Sequence, residues 1–229
     1  MRAIATAILL MTAASAQAAK PVNWAETVAS TPQGGILIGN PEAKVKLIEF
    51  GSFTCSHCRD FHKVGLPALK AKYISTGNVA YEFRSFTRNG PDGAASLIVG
   101  CQAAKPALGT VDALFTDQDS WMKPFSAIGE ADAKAIAALP VVSQFGALAV
   151  QAGLDSWAAA RKPGRGLAPA KIKACLADKA VMDQLVINRN TAVQVFGLQG
   201  TPTFVLDGKT VAGAYDWAAL EPKLVEALR

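Results

Sequence analysis

The feature that most constrains this chain is Cys55-Ser56-His57-Cys58, set between an apolar run, Val45 to Phe50, and a segment with helical spacing. Two cysteines so spaced at a strand-to-helix junction can close a tight disulfide across one helical turn. The first cysteine then lies at the helix N-terminus, where unpaired backbone N–H groups and the positive dipole end favour a thiolate. A thiol acidified in this way is reactive. Three blander readings compete. Half of a zinc site would need further ligands, but Cys101 and Cys175 are isolated, and the chain has no second Cys-x-x-Cys and no His-x-x-x-His. An inert structural disulfide gains little from so short a loop, and such bonds tend to be labile. Coincidence is the third. Spacing and context together favour redox catalysis.

The start of the chain sets the compartment. Residues 1–18 read as a signal peptide, with Arg2 as the charged start, Ala3 to Ala14 as the apolar region and Ala16-Gln17-Ala18 as a small-residue cleavage site. The apolar run is too short to span a bilayer. A soluble, exported mature protein is expected, and disulfides persist in oxidising compartments. Removing Arg2 takes the formal charge from +5 to +4, leaving 22 Lys and Arg against 18 Asp and Glu. No basic cluster interleaves with aromatics, so no nucleic-acid partner is expected.

Residues 20–33 read as a polar lead-in whose Trp24 packs rather than binds. Residues 34–41 form a short edge strand closed by Gly39-Asn40-Pro41, and 44–50 a buried strand in which Glu49 is out of place. That carboxylate either points to solvent or lies buried beneath the helix start, where it would exchange protons with the second cysteine. Helical spacing continues past Cys58 with Phe61, Val64, Ala68 and Leu69 as the core face, Pro67 predicting a kink or break, and His62 on the helix surface. Residues 78–86 alternate as a second core strand, completing a βαβ unit. From 87 to 186 the chain turns Ala- and Leu-rich. Helices are expected at 93–104, 111–115, 131–139, 141–152 and 169–176, with a loop or broken helix at 117–125. Arg161 to Gly166 is a basic turn lacking the ending of a phosphate loop. A helix at 182–196, a strand at 200–206, an Asp207-Gly208 hairpin turn, a strand at 209–214 and an amphipathic helix at 217–228 return the chain to α/β character. Pro202 is either an ordinary turn proline or a cis proline at a functional turn.

Glu49-Phe50-Gly51-Ser52-Phe53-Thr54-Cys55-Ser56-His57-Cys58, the later Gly200-Thr201-Pro202-Thr203 and the helical block between them resemble the DsbA-type thiol:disulfide oxidoreductases, over nearly all of the mature chain. The resemblance implies an α/β, thioredoxin-like fold with a helical domain inserted between its two halves: 19–86, then the insertion 87–186, then 187–229. It also implies Pro202 in cis facing the Cys55–Cys58 pair, with Thr201 before it, Glu49 as the buried acid and His57 tuning the pair. The sequence departs from the best-known members at Ser56, where they carry proline, and at Thr201, where some carry valine.

A periplasmic oxidase of this kind would act as a monomer on reduced or misoxidised exported proteins. It would take its oxidising equivalents from a membrane redox partner and need no cofactor or metal. Two other functions fit the same motif: an exported isomerase or reductase, and a non-enzymatic soft-metal-binding protein. Separate dimerisation domains mark dimeric isomerases, and the stretch before Val45 is too short for one. Cys101 and Cys175 either pack as two buried thiols or form a second, structural disulfide stapling the insertion, as in some DsbA-like relatives.

Overall fold

The computed structural model describes residues 22–161 and 166–229. The expected signal peptide and positions 162–165 of the basic turn lie outside them. Six strands, β1 (Val28–Ser30), β2 (Ile36–Gly39), β3 (Val45–Gly51), β4 (Val79–Ser85), β5 (Thr203–Leu206) and β6 (Lys209–Thr210), form one sheet in the order β1-β2-β4-β3-β5-β6. The central strand, β3, pairs parallel with β4 and antiparallel with β5. Alternation along β3 separates two faces. Val45, Leu47 and Glu49 point to one side; their register partners include Val79, Tyr81 and Phe83 on β4 and Phe204 on β5. Phe50 points to the other, where it joins Phe86, Ala192, Leu198 and Val205 in a separate apolar cluster.

Four helical pieces follow one another beneath the first face. They are α1 (Ser56–Asp60), a π-helical turn Phe61–Gly65, α2 (Leu66–Leu69) and a second π-helical turn Lys70–Ile74. The backbone stays in the right-handed helical region through their junctions, so Pro67 does not break the run. The missing donor of Pro67 falls just after a wide turn, closed by the Leu66 N–H on the Phe61 carbonyl. That wide turn also moves the core face by a residue. Gly65, Leu66 and Leu69 are buried, whereas Val64, assigned to the core on α-helical spacing, is 63% exposed.

The helical block comprises α3 (Gly90–Gly100), α4 (Ala104–Thr116), α5 (Gln118–Met122), α6 (Glu130–Ala137), α7 (Val141–Gln151), α8 (Leu154–Ala160) and α9 (Pro169–Leu176). A 3-10 turn, Lys123–Ala127, follows α5 in the stretch read as a loop or broken helix. The block packs around α3, buried from Asp92 to Val99. At Gly146 a Cβ would stand 2.6 Å from the Leu176 carbonyl oxygen, so only glycine lets α7 come this close to the end of α9. Then α10 (Lys179–Gln194) runs unbroken through positions 186–187, and α11 (Trp217–Leu228) ends the chain. Two strand expectations change. The lead-in contains β1, which pairs outside β2, so β2 is not the edge; and the last strand is only Lys209–Thr210. Asp207 and Gly208 both have positive φ, as a two-residue hairpin requires. No helix among the described residues is long and apolar enough to cross a membrane.

A disulfide joins Cys101, at the end of α3, to Cys175 in α9, with Cα atoms 5.3 Å apart. It closes a span of 74 positions. On the chain-entropy account such a loop is worth on the order of 4 kcal/mol. Replacing both cysteines by alanine should therefore lower the thermal midpoint by about 10 °C, read by calorimetry, while leaving the Cys55–Cys58 chemistry in place.

Candidate active site

The end of β3 delivers Gly51 and Ser52 to a tight turn in which the Cys55 N–H bonds the Ser52 carbonyl at 3.1 Å. Cys55 keeps extended backbone angles as the N-cap of α1, and its carbonyl accepts the Arg59 N–H. Both cysteines are free thiols; Cys55 is 4% exposed and Cys58 is fully buried. Directly opposite lies the start of β5. The Cys55 thiol donates to the Thr201 carbonyl at 3.1 Å, and the Thr201–Pro202 peptide bond is cis. Residues 146 positions apart in sequence therefore meet at one sulfur.

The two thiols are pushed in opposite directions. A hydrogen bond from the Cys58 side chain does most to lower the Cys55 pKa, from 9.0 to about 5, against the opposing effect of burial. The Thr201 side chain, the Cys58 backbone N–H and the Arg88 charge act in the same downward sense. Cys58 goes well above the ordinary thiol value. Burial contributes most, followed by its hydrogen bond to Cys55 and the negative charge of Glu49. The Ser52 N–H pointing at the Cys58 sulfur, at 3.5 Å, offsets this only in part. The pair in its reduced form is thus a thiolate held by a neutral thiol.

A polar clamp fixes the turn that carries the pair. The buried carboxylate of Asp92, on α3, accepts from the Ser52 hydroxyl at 2.9 Å, the Thr54 N–H at 2.9 Å and the Arg88 N–H at 3.0 Å. Burial raises the Asp92 pKa in spite of these donors. The Arg88 guanidinium bonds the Ser52 and Thr54 hydroxyls, each at 3.0 Å. From the other side, the buried Gln118 amide donates to the Phe53 and Cys55 carbonyls at 2.7 and 3.0 Å. Helices α3 and α5 of the helical block thereby hold the backbone on which Cys55 sits. Nothing in the local spacing around Cys55 signals Arg88, Asp92 or Gln118.

Glu49 is fully buried on the β3 face beneath α1. One of its oxygens, Oε2, accepts from the Tyr81 hydroxyl at 2.5 Å and lies 3.4 Å from His62 Nε2. Tyr81 is held well above its ordinary pKa, first by burial and then by Glu49. The surface placement expected for His62 is incorrect: its side chain is only 4% exposed. Four residues after Cys58 a helical side chain returns to the same face, and the wide turn at Phe61–Gly65 keeps His62 directed inward with Phe61. That i,i+4 spacing was the available sequence signal. His57, by contrast, is exposed on the outer side of α1. Cys101 and Cys175 lie apart from the pair, on α3 and α9.

Residues 31–226 match the thioredoxin family model, so the chain belongs to the thioredoxin family. Within it, the fold is that of the DsbA-type thiol:disulfide oxidoreductases. The crystal structure of a protein-disulfide isomerase from Novosphingobium aromaticivorans superposes with a TM-score of 0.78 at 30% identity, covering 88% of this chain and 99% of that one. That of Wolbachia pipientis alpha-DsbA1 does so with a TM-score of 0.59 at 25% identity, covering 84% and 89%. A relative in Rickettsia bellii, named among the protein-disulfide oxidoreductases, is 26% identical over 200 residues, 83% of this chain and 67% of that protein. Against other Rickettsia relatives the chain spans as little as 53% of their length.

The thiol asymmetry has a direct test. Thiolate absorbance of the reduced protein should titrate with a midpoint near pH 5, and Arg88→Leu should move that midpoint upward. The folded pKa lies below the unfolded one, so the thiolate's contribution to stability is complete above the ordinary thiol value and lost as pH falls through about 5. The reduced protein should accordingly gain thermal stability relative to the oxidised one as pH rises from 5 to 9. A gap that stays constant across that range would contradict the assignment.

Proposed function

We propose that this chain is an exported dithiol oxidase that passes the Cys55–Cys58 disulfide to reduced proteins and is recharged by a membrane redox partner. The opposed pKa displacements of the two thiols support this most strongly. A substrate thiolate attacks the Cys55 sulfur, Cys58 leaves and takes up a proton, and a mixed disulfide forms. The substrate's second thiolate then attacks the substrate sulfur of the mixed disulfide, closing the substrate disulfide and expelling Cys55 as a thiolate. An acidic Cys55 is a good leaving group and stabilises the reduced enzyme, which makes the disulfide oxidising.

In this reading Glu49 is the buried acid that exchanges the Cys58 proton, and exposed His57 adjusts the pair from the solvent side. The backbone at Thr201 and Pro202 receives an extended substrate segment by strand-like hydrogen bonds; the Thr201 carbonyl already faces the reacting sulfur at 3.1 Å. Cys101–Cys175 is a staple that stays closed during turnover. We assign residues 19–86 and 187–229 to the thioredoxin-like halves and 87–186 to the helical insertion. Residues 1–18 direct export to the periplasm, where the protein works as a monomer.

A second reading, isomerase activity, is favoured by the similarity to the Novosphingobium protein of that name. Two experiments separate the readings. Cys58→Ser, first charged at Cys55 with thionitrobenzoate as a mixed disulfide, should pass to mixed disulfides through Cys55 with reduced unfolded substrate as thionitrobenzoate leaves, trapped by acid and resolved by mass. The unaltered protein should oxidise a reduced dithiol peptide in stoichiometric bursts yet reactivate scrambled multi-disulfide substrate poorly. Efficient reactivation by a dimer would transfer the assignment to isomerase, and retained copper or zinc without dithiol turnover would favour metal binding.

A further inference from the structure

The Cys58 sulfur changes protonation in every cycle, yet it is fully buried, and so is the Glu49 carboxyl that faces it. A buried acid can serve repeated turnovers only if its proton reaches solvent. Among the described residues, the side chains close to the Glu49 carboxylate through polar atoms are Tyr81 and His62. Tyr81 is fully buried, and burial beside Glu49 keeps it protonated. It orients the carboxylate but offers no exit.

His62 differs. Its Nε2 lies 3.4 Å from both Glu49 Oε2 and the Tyr81 hydroxyl, while its Nδ1 is buried and has no hydrogen-bond partner. The ring is held between aromatic faces, stacked on Phe115 at 4.1 Å and edge-on to Phe83 at 5.4 Å. It also lines an open cleft of about 720 Å³ between the α1–α2 run and α4–α5. A buried imidazole that touches the acid on one side and borders a solvent cleft on the other is placed to carry a proton between them. Imidazole is also the side chain best suited to reversible protonation near neutral pH.

We propose that His62 is the proton outlet of this site, relaying protons between Glu49 and solvent through the cleft. This rests on the reading of Glu49 as the acid for Cys58. During reduction, two electrons pass from the substrate dithiol to the Cys55–Cys58 bond. The departing Cys58 thiolate takes the proton of Glu49, Glu49 takes one from His62, and His62 is reprotonated through the cleft. Of the two substrate thiol protons, one is replaced on Cys58 and one remains in solvent, because Cys55 stays a thiolate. During reoxidation the Cys58 proton travels the opposite way before Cys58 attacks the mixed disulfide.

The charged groups around the relay come from every neighbouring element. Glu49 and Tyr81 face it from the sheet, and Asp112 on α4 is near enough to influence Tyr81 and also lines the cleft. Lys63 and Lys70 border the cleft on the near side, and Arg59 is paired there with Asp60 and with Asp119 of α5. His62 is a relay residue acting through Glu49, so its signature is kinetic.

The test uses the full chain and follows reoxidation of the reduced pair by oxidised glutathione, by acid quench, from pH 5 to 9. His62→Phe keeps a ring against Phe115 and Phe83 but carries no proton; His62→Gln keeps a polar contact with Glu49 and serves if the first variant does not fold. Both should slow reoxidation by roughly tenfold or more. They should change the pH dependence of the rate, and added imidazole entering the cleft should restore much of the rate. Glu49→Gln should slow reoxidation beyond rescue by imidazole. Variants at His62 with the native rate and pH profile, or slowed ones that imidazole does not restore and whose pH profile is unchanged, would overturn the relay. If Glu49→Gln itself reoxidises at the native rate, the buried-acid reading fails instead.

Discussion

The hydrogen bond from the Cys58 thiol to the Cys55 sulfur is the interaction on which the rest of the site depends. A thiolate that is only 4% exposed has lost most of its water and must find replacement donors in the protein. Cys58 is the principal one, and it can donate only while it keeps its own proton. Burial and the charge of Glu49 see to that, since both oppose ionisation of Cys58. One residue's acidity is therefore maintained by its partner's reluctance to ionise, and each condition requires the other.

Such an arrangement works only if the sulfur positions are held closely. The β3 strand and the β5 start converge on the pair from within the sheet, while α3 and α5 reach in from the helical block through Asp92 and Gln118. The inserted block is thus coupled to the backbone of Cys55 by direct hydrogen bonds. Its apolar packing around α3 and its Cys101–Cys175 bond give those two polar anchors a fixed base. Arg88 adds a positive charge that lowers the Cys55 pKa and also ties the Ser52 and Thr54 hydroxyls.

Much of this architecture was legible because the signals were local. The alternation in Val45–Phe50, the Asp207-Gly208 turn and the amphipathic last helix each contain their own explanation over a few residues. What escaped depended on contacts across the chain or on a departure from regular geometry. β1 is three residues long, too short for a period to show, and exists by pairing with β2. The exposure of Val64 follows from a wide helical turn that α-helical spacing cannot anticipate, and the inward position of His62 was signalled only by its place four residues after Cys58. Asp92 is 38 positions from the Thr54 N–H it binds and Gln118 is 63 from the Cys55 carbonyl, and no pattern near Cys55 points to them. The burial of Glu49 stood as one of two alternatives until its neighbours on the sheet face were known.

The bond between Cys101 and Cys175 has a bearing on the life history of the molecule. A newly made chain carries four thiols, and the distant pair must find each other across 74 positions before the helical block has its covalent closure. On the proposed activity, the protein therefore belongs to the population it serves. Each copy needs a disulfide installed during maturation, by an older copy or by another oxidant of the same compartment. Production of active enzyme would then be self-reinforcing, with the existing pool setting the pace at which its successors mature.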